Sequence, residues 1–156
     1  MKKFKLFFSA AFIVVLVFAL AACGGAKAPG FAMKPDTDPD KLMEKLEKDG
    51  WDVSEMLDED GTGMIIATKG DEPGEDADEN TKVSGQTLMI MYVANKAGAD
   101  AYYTMMEAAL KIAKEAVPKG VSFSYSLSKT EYSVSVWVSV SGKLGDMEGW
   151  DPGFDF

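Results

Sequence analysis

Between residues 121 and 140, apolar and small polar side chains alternate almost without a break. Val121, Phe123, Tyr125 and Leu127 fall on one side of an extended chain, with Ser122, Ser124, Ser126 and Ser128 on the other. Tyr132, Val134, Val136, Val138 and Val140 then alternate with Ser133, Ser135, Trp137 and Ser139. Successive side chains of a strand point to opposite faces, so a period of two marks a strand with one buried face. Two such runs joined by a few residues predict an antiparallel hairpin. Any fold must then supply an apolar layer to cover the valines, which excludes an all-helical architecture.

The rest of the chain is read around that hairpin. Asp38-Pro39 opens a first helix: Asp38 suits the N-cap, Pro39 the first helical position and Asp40 the positive end of the dipole. Leu42, Met43 and Leu46 form its stripe, and Gly50 is placed to end it. Trp51–Leu57 and Met64–Lys69 predict two strands joined by a turn at Asp58–Gly63. Residues 70–84 read as a solvated acidic loop. Thr87–Ala94, apolar on both faces, predicts a central strand. A second helix is expected over about 96–117, capped by Asn95 or starting later near Asp100, with Tyr102, Met105, Met106, Ala109, Ile112, Ala113 and Ala116 as its stripe. Pro118 and Gly120 stop it. A faint repeat, helix–Gly–strand–turn–strand–Gly, suggests two αββ units with an extra strand between them. The expected fold is therefore α+β: a two-layer sandwich in αβββαββ order, with about five antiparallel strands and both helices on one face. The domain is expected over 38–142, followed by an aromatic tail, 143–156.

Composition removes whole classes of chemistry. Among 156 residues there are 25 acids and 16 basic residues, no histidine and one cysteine, and every basic residue is a lysine. A disulfide within the chain, a His- or Cys-ligated zinc site, a triad with a histidine base and a bidentate arginine clamp are all excluded. The net charge of −9 argues against nucleic acid, which needs a basic footprint.

The N-terminus carries a different kind of information. Lys2, Lys3 and Lys5 precede an apolar run of 17 residues, Leu6–Ala22, interrupted only by Ser9. A basic segment before a short apolar one is the layout of a secretory signal. The run ends in Leu20-Ala21-Ala22-Cys23. This resembles the lipobox of bacterial lipoproteins at all four positions, and the chain's single cysteine stands where the motif demands it. The resemblance covers about the first 25 residues. It implies that the Cys23 sulfur receives a diacylglycerol group and that cleavage before Cys23 makes it the first residue of the mature chain. Two acyl chains suffice for stable membrane attachment. Cleavage would remove three lysines and no acid, taking the charge from −9 to −12. Gly24 to Thr37, with Gly24, Gly25, Pro29, Gly30 and Pro35, is expected to be a flexible tether on which an acidic domain stands off an anionic surface.

Motifs in the mature chain are weaker. Asp58, Asp60 and Gly61 match part of a calcium loop, but Met56 and Ala67 occupy positions where oxygen ligands are indispensable. Ser126-Leu-Ser-Lys129 matches a bare Ser-x-x-Lys pattern, yet falls in a hairpin where that chemistry needs a helix start. Thioethers bind Cu(I), but Met105 and Met106 on a helix stripe and Met89 on a central strand read as core filler. Trp137 projects among serines from the face expected to lack helices. Either it forms a recognition surface with Ser135, Ser139, Met89 and Met91, or the tail residues Trp150, Phe154 and Phe156 cover it. The expected function is a lipid-anchored, extracytoplasmic, non-enzymatic binding module. Its expected partners are the membrane, through the anchor, and an unidentified protein or envelope component. No cofactor is implied. The alternative is a small envelope hydrolase using carboxylate, Ser or Lys chemistry, with Glu107, Glu115 and Glu131 as the acids in its later elements.

Overall fold

A computed structural model describes residues 27–35, 38–70, 74 and 76–150. The elements are α1 (Pro39–Lys48), β1 (Asp52–Leu57), β2 (Gly63–Gly70), β3 (Lys82–Tyr92), α2 (Lys96–Glu115), β4 (Ser122–Lys129), β5 (Ser133–Lys143) and one helical turn, α3 (Leu144–Met147). The strands make one antiparallel sheet in the order β1-β2-β3-β5-β4. The α+β class and the αβββαββ order are those the sequence predicts.

Local chemistry sets the boundaries. The Asp38 carboxylate accepts from the backbone N–H of Asp40 and Lys41, satisfying two otherwise orphaned donors at the start of α1. At its far end Gly50 has φ +80°; its N–H donates to Glu47 O (2.9 Å) and the Trp51 N–H to Leu46 O (3.0 Å). That paired closure is a Schellman ending, with Trp51 and Leu46 packed in one cluster. Asn95 caps α2 by accepting from Gly98 N–H at 2.9 Å.

Register divides the sheet into two faces. Val134, Val136, Val138 and Val140 of β5 lie with Met89 of β3 on one face, packed on Ala99, Met106 and Leu110 of α2. Trp137 lies opposite Leu88, beside Ile90, Ile65 and Ala67, on the other face, packed with Leu42 and Leu46 of α1. The helices therefore cover opposite faces, not one face as expected. The reason is in β2 and β3: Met64-Ile-Ile-Ala67 and Leu88-Met-Ile-Met91 are apolar on both sides, so each face needs its own layer. The faint repeat fits this arrangement. A half-turn about β3 exchanges β2 with β5, β1 with β4, the two faces, and hence α1 with α2.

Three further expectations are corrected. β3 starts at Lys82, inside the expected loop, because buried Val83 and Gly85 continue its alternation behind a polar surface. The buried line of α2 is Ala99, Met106, Leu110 and Ala113, whereas Met105 and Ile112 are 52% and 66% exposed. This helix is apolar over a wider arc than the sheet covers. The expected tether is also partly folded: Ala32 is fully buried, Ala28, Phe31 and Met33 pack against the Trp137 cluster, and the Ser128 hydroxyl donates to Met33 O. The apolar residues at 28–33 outweigh the prolines and glycines around them. Thr37 lies outside the described residues.

Candidate binding surface

The residues expected to form a recognition face do not come together. Trp137 is 3% exposed, roofed by α1 and by residues 28–33, and its indole N–H donates to Gln86 Oε1 at 3.1 Å. Ser135 is fully buried beside it in the sheet, and its Oγ has no hydrogen-bond partner. Ser139 is half-buried on the same side. Met89 pairs with Val136 and Met91 with Val134, which puts both methionines on the valine face, opposite Trp137. Ser128 and Ser135 do not mark a solvated face: Ser135 is fully buried, and the Ser128 hydroxyl donates to Met33 O, so residues 28–33 lie close to the sheet there. Trp150 does not cover Trp137 either. It packs edge-on against Phe123, ring centres 5.9 Å apart, in the cluster on the valine face. Phe154 and Phe156 lie outside the described residues.

The open apolar surface lies on that valine face. α2 packs over β4 and β5. Its Tyr103 and Asp100 flank is turned to β4, where Lys129 pairs with Asp100 and sits 4.9 Å above the Tyr103 ring. Its opposite flank carries Tyr102, whose hydroxyl contacts the Met89 sulfur of β3. Met105, Ala109 and Ile112 follow that flank at helical spacing, on the side of α2 away from β4. On the same face of the sheet, Met56 of β1 is 61% exposed, and Met64 and Ile66 of β2 are half-buried. Three of the four large apolar residues exposed in the described structure, Met56, Met105 and Ile112, lie on this open apolar surface of α2 and β1. The signal for it was present in the sequence: a second helix too broadly apolar for one sheet contact, and a β1–β2 pair rich in methionine.

Reactive groupings are sparse among the described residues. Ser126 and Lys129 of the Ser-x-x-Lys match point to opposite faces of β4: Ser126 lies across from Trp137, whereas Lys129 reaches Asp100. Asp58–Thr62 closes the β1–β2 hairpin, with Asp58 N–H donating to Thr62 O at 2.8 Å, and Met56 and Ala67 are strand residues on either side. Glu107 is ion-paired with Lys111 on the exposed side of α2. Hydrogen bonds from Lys41 and Lys129 hold the Asp38 and Asp100 carboxyls below the ordinary carboxylate range, whereas burial raises the Tyr102 hydroxyl. No group of three or more His, Cys, Asp or Glu among the described residues is placed to hold a metal. Comparison with protein-family models, with curated proteins and with solved structures gives no match.

Proposed function

We propose that this chain is a lipid-anchored extracytoplasmic bacterial lipoprotein whose domain is a non-enzymatic binding module. The observation that carries the reading is Leu20-Ala21-Ala22-Cys23 at the end of a lysine-led apolar run, with Cys23 the single cysteine of the chain. Those residues lie outside the described structure. No helix among the described residues is long and apolar enough to cross a membrane. In this reading the anchor is the acylated Cys23.

Packing of residues 28–33 changes how the anchor would work. Only four residues, Gly24 to Lys27, separate Cys23 from Ala28. Five peptide steps span at most about 18 Å. The domain would therefore ride close to the headgroups, not stand off on a long tether. The apolar side chains exposed on α2 and β1, Met105, Ile112 and Met56, support a binding role, since exposed apolar surface is where recognition concentrates. The test is Cys23→Ala in the producing cell, followed by fractionation and sizing. Persistence of the unprocessed chain, longer by residues 1–22 and without the acyl group, is expected. Unchanged size and unchanged retention would overturn the proposal.

A further inference from the structure

We propose that Met56, Met64 and Met91 form a surface site for a soft monovalent cation, with Cu(I) the biological example and Ag(I) its redox-inert counterpart. The three residues stand in one cross-strand row: Met56 is opposite Met64, and Met64 is opposite Met91. Directly opposed residues have Cβ atoms about 4.5–5.5 Å apart. Each thioether hangs on a chain of three rotatable bonds, so the outer two sulfurs can lean over the middle one and converge on a single ion.

Exposure separates this row from the methionines that fill the core. Met89 and Met106 are 7% and 1% exposed, and packing accounts for them. Met56 is 61% exposed on an edge strand; Met91 and Met64, the latter also packed against the edge of the valine-face cluster, are half-buried. An exposed apolar side chain on an edge strand invites association with other chains, and burial gives no reason to place it there. The donor set is also selective. Neutral thioethers prefer Cu(I) to hard or borderline dications, and the described residues offer those dications no cluster of their own.

Charge supplies the second, independent pointer. Thioethers leave the ion's charge uncompensated, so the site gains from nearby acids that do not ligate. Asp58, Glu59 and Asp60 are exposed in the turn that starts two residues after Met56 and leads back to Met64. They sit at the end of the sheet where the methionine row lies, in a chain of net charge −9. A field of that sign raises the local concentration of cations. The ion is held as Cu(I) throughout, with no electron transferred.

This goes beyond the anchoring reading and does not depend on it. The test uses the full chain carrying Cys23→Ala, so that no thiol competes for the metal. Cu(I) is titrated without oxygen against a coloured bicinchoninate competitor, and X-ray absorption reads the first shell. One bound equivalent with a shell of three sulfurs is expected. Met56→Leu and Met91→Leu should each lower the affinity at least tenfold, because leucine keeps most of the volume and removes the donor. Met89→Leu, outside the row, should leave it unchanged. Circular dichroism confirms that each variant is folded, and Met56 is too exposed for its loss to unfold the domain. A protein that takes no Cu(I) from the competitor, a shell of nitrogen or oxygen, or equal affinity in wild type, Met56→Leu and Met91→Leu would overturn the proposal.

Discussion

Trp137→Ala is the sharpest probe of how the sheet is covered. The indole is 3% exposed among Leu88, Ile90, Ile65, Leu42 and Leu46, all but inaccessible to solvent. Truncating a fully buried aromatic costs about 3–5 kcal/mol through lost transfer free energy and the cavity left behind. Its hydrogen bond to Gln86 Oε1 adds about 1 kcal/mol at most, because half-buried Gln86 can turn to water. Against a total stability of about 5–15 kcal/mol, that is a third or more of the whole in most cases. The melting temperature of a domain this size should fall by roughly 10–20 °C. Urea unfolding followed by circular dichroism gives the number, with an unchanged m-value as the check that compactness is preserved. Met56→Ala, on the exposed part of the sheet, is the comparison and should change stability by less than about 0.5 kcal/mol. A loss below about 1 kcal/mol in Trp137→Ala would mean that α1 and residues 28–33 do not cover this face.

Other consequences are independent of that one. Gly63 has φ +134° and an added Cβ would lie 2.1 Å from Met56 O, so Gly63→Ala must shift the hairpin backbone; a loss of about 1–3 kcal/mol in urea unfolding is expected, and a neutral result would show that this turn is misplaced. The Asp38 and Asp100 carboxyls lie below their ordinary value of 3.8 when folded, chiefly through hydrogen bonds from Lys41 and Lys129. The folded state therefore holds fewer protons than the unfolded one, and the stability this contributes is present above about pH 4 and lost as pH falls through the lowered values. An acid titration of stability should show that limb, and Asp100→Asn should flatten it; an identical acid limb in the variant would contradict the assignment.

The elements of this fold were legible where a single residue decides the matter. Asp38-Pro39, Asn95 and Gly50 act as the caps and stop that their chemistry predicts, and the alternation from Val121 to Val140 gives β4 and β5. What was not legible is which layer covers which face. Period two says that Trp137 and Val136 point oppositely, but it does not say that the tryptophan side is solvated. Serines on a strand are compatible with water or with a backbone lying close by, and Ser135 is fully buried. The covering segment is itself hidden in the sequence, since Pro29, Gly30 and Pro35 suggest a tether even though the neighbouring Ala28, Phe31, Ala32 and Met33 are apolar. The candidate surface moved for the same reason. Helical periodicity assigns Met105 and Ile112 to the buried stripe, and only the position of α2 over β4 and β5 shows that this flank is left exposed.

Attachment of the chain at Cys23 is decided by intact-mass and N-terminal peptide mass spectrometry of the protein extracted from membranes. The expected chain begins at Cys23 and is heavier than residues 23–156 alone by a diacylglycerol group on that residue. A protein still beginning at Met1, or one cleaved elsewhere with an unmodified Cys23, would contradict it.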